Sequence, residues 1–345
     1  MGRASAARTH LGVPAVQLRD PADPAGDRAV NIEGLFVQLL EVVVAVLLAP
    51  LFVGWINCCR AWLQNRRAAP LTQPYRMLRK LVRKDAVLAH NASSLFRITP
   101  YVVFGTMVTA VAIIPSLGTR MPFARAADAI ALVGLFATAR VFISLAAMDI
   151  GTAFGTLGAR REMMIGFLAE PALLMVLFTA SLIAGSTALP VIVETLTGRS
   201  LAIHPSLAFA AIAFLMVLLA ENARIPVDNP ATHLELTMIH EALVLEYSAR
   251  HLALIEWAAA LKLFNYACVG FALFLPWGVA RAGDPWTALP VALVFLMAKL
   301  TVAGAFLALI ETLSAKIRIF RAPEFLVMAF LLAVLGVLVR LLLRS

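Results

Sequence analysis

Residues 323–343 read PEFLVMAFLLAVLGVLVRLLL, a run in which only Glu324 and Arg340 carry charge. Its apolar residues are continuous rather than alternating, so it does not read as a barrel strand with one wet face. In hydrocarbon the backbone N–H and C=O groups of such a run must be satisfied within the segment itself, which a helix achieves. A bilayer core of about 30 Å needs roughly 20 such residues. Working outward, seven further stretches meet the requirement, near 35–56, 99–118, 127–148, 163–188, 205–222, 252–280 and 289–312. The expected fold class is all-α: a polytopic membrane protein of about eight transmembrane helices.

Composition points the same way. The chain is 61% hydrophobic and 14% charged, with a mean hydropathy of +0.88, which excludes an ordinary soluble domain. Its net charge of +9 is unevenly distributed. Between the first two spans stand Arg60, Arg66, Arg67, Arg76, Arg79, Lys80, Arg83, Lys84 and Arg97, against a single acid, Asp85. The third, fifth and seventh loops add Arg160, Arg161, Arg224, Arg250, Lys316, Arg318 and Arg321. The second, fourth and sixth hold only Arg120, Arg125, Arg199 and Arg281. The positive-inside rule then places the odd loops in the cytoplasm and both termini outside. Basicity here reads as topology and not as nucleic-acid binding.

A single eight-helix membrane domain is expected over 35–345, with cytoplasmic loops near 57–98 and 222–251. Residues 1–34, rich in Ala, Arg, Asp and Pro, read as a disordered N-terminal extension; without an apolar stretch they are not a cleavable signal peptide. Cys58, Cys59 and Cys268 form no ligand spacing, so no metal or redox cofactor is expected in this chain. No internal repeat supports an inverted-repeat transporter.

The loops and the buried charges carry the functional signal. Residues 220–248 read AENARIPVDNPATHLELTMIHEALVLEYS, in which Glu221, Asp228, Glu235, Glu241 and Glu246 collect beside the bilayer. An ionised side chain at the bilayer centre costs about 2.5–3.5 kcal/mol, so such a cluster calls for proton or coupling chemistry. Pro226 and Pro230 break the helix that ends near Arg224. A new one starts around Thr232, on which Glu235, Ile239, Ala242 and Glu246 share a face. These acids either pair with the basic first loop or line a hydrated passage. His240-Glu241 lacks the second histidine of HExxH, because Val244 stands there; His233 and His240 read as hydrogen-bonding groups.

Glu170, followed by Pro171, falls a little over two turns into the fourth span. The proline removes a backbone hydrogen bond and gives room for water, so Glu170 reads as a proton-exchanging carboxylate; the alternative is pairing with an arginine of a neighbouring helix. Glu256, Lys262, Lys299 and Glu311 add charges in later spans, and Lys299 is expected to face a carboxylate inside the bundle. Arg140 and Asp149 extend a possible polar line with Glu170 and Glu221. In the first loop Tyr75, Leu78, Leu81 and Val82 recur at helical spacing. That section either lies on anionic lipid or docks a cytoplasmic partner. The candidate contacts to such a partner are Arg66, Arg67, Tyr75, Lys80, Lys84, Arg161 and Arg224.

The sequence QNRRAAPLTQPYRMLRKLVRK at 64–84 and THLELTMIHEALVLEYS at 232–248 resemble the conserved eight-helix membrane subunit shared by respiratory complex I (its subunit 1, or H) and the membrane-bound [NiFe]-hydrogenases. The fit is closest to the formate-hydrogenlyase subunit 4 and hydrogenase-4 component C type. Ala220, Glu221, Arg224, Pro226, Asp228 and Pro230 match an element of that family, and Arg161 to Glu170 is similar in spacing to a motif of the complex I branch. Two departures from that branch count against an intact quinone pocket: a longer stretch between Arg224 and Glu246, and Ala249 in place of the glycine after Ser248.

The resemblance implies a membrane anchor, not catalytic alone and without a cofactor of its own, in the cell's inner (plasma) membrane. It would lie between a cytoplasmic electron-transfer arm and antiporter-like membrane subunits. The arm would hold hydrogenase-like large and small subunits and an iron–sulfur protein, which carry the [NiFe] and iron–sulfur centres. Glu170, Glu221, Asp228, Glu235, Glu241, Glu246 and Lys299 would belong to its proton or sodium path. Two alternatives are a quinone-site subunit of NADH:quinone oxidoreductase and a stand-alone cation/proton antiporter.

Overall fold

The computed structural model describes residues 24–119, 122, 127–198, 205–224, 240–281, 284–314 and 322–343. Among these residues there are eleven helices and no β-strand. The first half holds α1 (Pro24–Leu63), α2 (Gln73–Val82), α3 (Ser94–Ile113), α4 (Ala129–Asp149), α5 (Ala153–Ala184) and α6 (Leu189–Gly198). The second holds α7 (Pro205–Glu221), α8 (His240–Val244), α9 (Ala249–Phe274), α10 (Ala288–Leu313) and α11 (Ala322–Leu342). The protein is thus an all-α, polytopic membrane protein, with seven helices long and apolar enough to cross a bilayer.

The eighth expected span is α7, whose 17 residues fall just short. At 1.5 Å per residue it is about 26 Å long. It stops at Glu221, which is only 2% exposed, so the helix ends inside the protein and not at its rim.

Three boundaries differ from the sequence reading. Helix α1 starts at Pro24, within the stretch read as an extension; a proline in the first turn needs no intrahelical N–H partner. Residues 1–23 lie outside the described ones. Helix α5 starts at Ala153, capped by the Thr152 hydroxyl, which accepts from Gly155 N at 3.3 Å. Arg160 and Arg161 are therefore inside a helix, and Glu170 lies about 25 Å along it rather than two turns in. Reading only apolar residues truncated this helix at its charges, although arginine and glutamate are good helix formers. For the same reason Arg250 belongs to the first turn of α9 and not to a loop.

Helices α3, α4, α5 and α7 pack in succession, with α11 against α5 and α7; α1 packs on α10, α9 and α3. Helix α9 joins the two groups and is the most enclosed span, with 72% of its apolar window buried. Small residues allow the close approaches. A Cβ on Gly336 of α11 would lie 3.0 Å from the Ser206 carbonyl of α7, and one on Gly304 of α10 would lie 2.6 Å from Trp55 of α1.

Two faces of the bundle are distinct. On one face Thr119 N donates to Ala280 O (3.0 Å) and Ala280 N to Leu117 O (2.9 Å), tying the α3–α4 and α9–α10 connections together. On the other, Arg66, Arg67, Arg76, Arg79, Lys80, Arg83, Lys84, Arg97, Arg160 and Arg250 are exposed, and we call it the basic face.

Helix α2 does not simply lie on a lipid surface. It folds back against α1 and α9, buries Leu78, and is anchored by the Tyr75 hydroxyl, which donates to the Leu47 carbonyl of α1. Burial pushes the Tyr75 phenol above its ordinary pKa. Gly54 makes the fold-back possible, since a Cβ there would meet the backbone of Leu71 (carbonyl carbon at 3.2 Å) and Pro74 Cδ at 3.4 Å.

The Glu-Tyr-Ser motif closes the other end of this roof. Tyr247 stacks on Phe96 with centroids 4.0 Å apart and donates to Phe96 O at 3.1 Å. Ser248 Oγ accepts from Val87 N (2.9 Å) and donates to Val87 O (2.7 Å). Ala249 then adopts φ +49°, a left-handed conformation that favours glycine, at the position where the complex I branch carries one.

The fold-back gives a first prediction. Gly54→Val should displace the 71–74 turn, destabilise the protein by about 1–3 kcal/mol, the range for an overpacked contact, and open the Arg76–Lys84 segment to trypsin. Limited proteolysis and thermal unfolding in detergent check it.

Candidate functional site

Arg140 lies in the middle of α4, 5% exposed, where a charge must be neutralised by protein. Helix α5 supplies the seat. Glu162, Gly166 and Glu170 follow at four-residue spacing and so fall along one stripe. The missing side chain at Gly166 leaves a gap between the two acids, and the arginine lies across it: a Cβ on Gly166 would sit 2.6 Å from Arg140 Cδ. Arg140 Nε is 3.4 Å from Glu162 Oε1, and Nη1 donates to Glu170 Oε1. Nη2 donates to Glu221 Oε2 at the end of α7.

Lys262 of α9 completes the cluster. Its ammonium lies 2.9 Å from Glu221 Oε2 and donates to the Glu221 main-chain carbonyl at 2.8 Å. That carbonyl is one of those left without an intrahelical partner where α7 stops, and a cation there is favoured by the helix dipole. His240 Nδ1 stands 3.4 Å from Glu162 Oε2. Three carboxylates thus face two fixed cations, Arg140 and Lys262, with His240 beside Glu162.

Two cavities adjoin it, of about 270 and 260 Å³. They share His240, Glu256, Ala259 and Lys262. The first touches Arg140, Glu162 and Glu241; the second touches Glu221 and Arg224 and is bounded by Met77 and Leu78 of α2. Both cavities are lined mainly by apolar side chains, with the charged groups on their shared wall, and the second lies under the folded-back first loop.

The structure brings together some of the expected site residues and separates others. Glu170 and Glu221 meet at Arg140, so Glu170 pairs with an arginine of a neighbouring helix, whereas Asp149, the other member of the expected line, accepts from Ser93 N at 2.9 Å. Helix α5 runs unbroken through Pro171. Glu241 is exposed at the cavity rim. Glu246 is exposed beyond the end of α8, while Ala242 is buried, so these two do not share a face as expected. Asp228 and Glu235 lie outside the described residues.

Lys299 is a correction: its ammonium donates to the carbonyls of Leu275 (2.6 Å) and Trp277, not to a carboxylate, in the half of the bundle away from the basic face. The end of α9 offers it unpaired carbonyls, which serve as well as an anion.

Among the expected partner contacts, Arg66, Arg67, Lys80 and Lys84 are exposed, and Tyr75 is half-buried in its tether to α1. Arg224 pairs with Glu311 at 3.1 Å, which also approaches Arg60 at 3.7 Å. Arg161 is half-buried on α5, and nine residues, two and a half turns, set it on the opposite side of the helix from Glu170. The sequence reading set Arg140 on a polar line with Glu170 and Glu221, named Lys262 only as a charge in a later span, and gave Glu162 no role. The available signal was the Glu162, Gly166, Glu170 spacing, two acids flanking a glycine. Among the described residues no three His, Cys, Asp or Glu side chains group as a metal site.

Comparison with known proteins gives the family context. The family model described as NADH dehydrogenase matches residues 37–342. Formate hydrogenlyase subunit 4 of Escherichia coli K12 is 33% identical over 288 residues, 83% of this chain and 92% of that protein. Hydrogenase-4 component C of the same organism is 35% identical over 244 residues, 70% of this chain and 76% of that protein. A chain in the structure of the membrane-bound sulfane sulfur reductase, an archaeal respiratory membrane complex, superposes with a TM-score of 0.75 at 20% identity, covering 88% of this chain and 99% of the other.

The geometry predicts a charge-balance effect. Arg140→Gln leaves buried acids unpaired and should cost about 3–5 kcal/mol, the range for breaking a buried ion pair, whereas Arg140→Gln with Glu221→Gln removes one charge of each sign and should recover part of the loss. Gly166→Ala should also destabilise, by unseating Arg140. Thermal unfolding of the three variants in detergent is the measurement.

Proposed function

The chain belongs to the NADH dehydrogenase family of complex I subunit 1-like membrane proteins, and from that premise we propose that it is the membrane-anchoring and ion-path subunit of a membrane-bound [NiFe]-hydrogenase complex of the formate-hydrogenlyase or hydrogenase-4 type. The observation that carries the reading is the Arg140 cluster, a buried and unequal set of charges beside a cavity that lies under the folded-back first loop. Identity above 30% to two hydrogenase membrane subunits supports the choice of branch.

In this account the basic face is cytoplasmic, both termini lie outside, and the membrane is the inner (plasma) membrane. Exposed Arg66, Arg67, Lys80 and Lys84 meet the electron-transfer arm, whose hydrogenase-like large and small subunits and iron–sulfur protein hold the [NiFe] and iron–sulfur centres. This chain contributes no redox centre. Antiporter-like subunits lie against the apolar outer surfaces of its helices.

The chemistry of the chain is electrostatic. An extra negative charge in the arm, next to cavities lined by His240, Glu241 and Glu256, raises the proton affinity of the nearest acids. Three carboxylates share two fixed cations in the cluster, so a proton can be taken up there at small electrostatic cost. Arg140 carries the change between helices, because its single guanidinium binds acids of both α5 and α7. Glu170, less buried than Glu162 and Glu221, is the member placed to release the proton.

Affinity purification of the chain from its native membrane, with mass spectrometry and hydrogen-uptake assay of the same sample, tests the assignment. Co-purifying [NiFe]-type subunits with dye-linked hydrogenase activity are expected. NADH-module partners with quinone reductase activity would replace the reading with a quinone-site subunit, and recovery of the chain alone would favour a stand-alone antiporter. In the intact complex Glu170→Gln should retain dye-linked electron transfer and reduce ions moved per electron to a small fraction.

A further inference from the structure

Glu41 is a buried carboxylate that the mechanism above does not use. It lies in the apolar span of α1, on the half of the bundle away from the basic face, and is 1% exposed. One oxygen, Oε1, accepts from Ser116 Oγ at 2.7 Å, Leu117 N at 2.6 Å and Ser116 N. The other, Oε2, has no hydrogen-bond partner among the described residues. One turn earlier on the same face of α1, Gln38 is 4% exposed and donates to Ala112 O at 2.7 Å, while its own Oε1 is likewise unpartnered.

A merely structural residue here would not need to be an acid. Glutamine could accept the same bonds through its carbonyl oxygen without bringing an ionisable group into hydrocarbon, where an unpaired carboxylate is expensive. No cation contacts Glu41 among the described residues; Lys299 of α10, the cation of this half, is held by the Leu275 and Trp277 carbonyls. Lys299, Cys268 of α9 and Ser116 line a small common cavity next to Glu41. The α3 end brings only the Ser116 hydroxyl and backbone groups to it.

Polar groups also run from the Arg140 cluster toward this cavity. On α9 Lys262, Asn265 and Cys268 follow at three-residue spacing over about 9 Å of rise. Asn265 is fully buried, donates to Met107 O at 3.0 Å, and leaves its Oδ1 unpartnered among the described residues.

We propose that Glu41 is a second proton-binding site of this subunit, set between the Arg140 cluster at mid-bundle and the face opposite the basic one, and oriented by Gln38 and Ser116. It takes up and returns protons at that side, and Asn265 and Cys268 mark the stretch that separates the two sites. The inference rests on the ion-path reading, so its test includes a readout that does not depend on pumping.

The test is infrared pH-difference spectroscopy on the intact complex in mild detergent, with wild type, Glu41→Gln and Ser116→Ala. A protonated-carboxyl C=O band that titrates in the wild type, is lost in Glu41→Gln and shifts in Ser116→Ala is expected. Identical wild-type and Glu41→Gln spectra would overturn the proposal, as would a band that follows sodium at fixed pH. Should Glu41→Gln fail to assemble, the Ser116→Ala shift and a displaced band in Glu41→Asp decide the matter on the same terms, and absence of both overturns it. If the band is present but the wild-type complex moves no ions, the ion-path reading fails and the proton site stands. Ion movement without the band removes Glu41 alone.

Discussion

A guanidinium in the middle of a membrane helix constrains everything around it. Arg140 is buried at the middle of α4, and the protein surrounds it with Glu162, Glu170 and Glu221. Those acids come from two helices, and the arginine therefore fixes how α4, α5 and α7 stand relative to one another. The same need explains Gly166, whose missing side chain is the space the arginine fills. Lys262 then satisfies both the surplus acid and the open carbonyl at the end of α7. Such an arrangement costs stability relative to an apolar core, which is the expected signature of a functional site.

The first loop depends on the same core. Because α2 folds back over Gly54 and is pinned by Tyr75, its basic side stays exposed while Met77 and Leu78 bound the cavity beside Glu221. Tyr247 and Ser248 hold the other end of that loop against α3 and α9. A partner seated on the basic face would therefore press on a roof whose underside touches the charge cluster. This is a contiguous physical route between face and cluster; coupling along it is a matter for measurement.

The fold was legible in the sequence wherever apolar residues ran without interruption, as in α10 and α11. It was less legible where function places charges inside helices. Arg160 and Arg161 looked like a loop because hydropathy measures residues singly, whereas the helix carries Arg160 out to the basic face and turns Glu162 in toward Arg140. Glu170 and Glu221 were readable as unusual acids and Arg140 as a companion on one polar line, but their direct contact was not, since pairing across helices leaves no local spacing. Lys299 misled for a related reason: the sequence shows which residues carry formal charge and does not show that carbonyls at a helix end can replace an anion. Glu41 had no signal beyond being one acid in an apolar run.

The most direct measurement is the number of ions moved per electron by the intact complex in proteoliposomes, comparing wild type with the charge-balanced Arg140→Gln, Glu221→Gln variant. This account predicts that the variant assembles and passes electrons to dye while ion movement collapses, because no single group then spans α5 and α7. An unchanged ratio of ions to electrons in an assembled variant would contradict it, and would reduce the cluster to a structural joint.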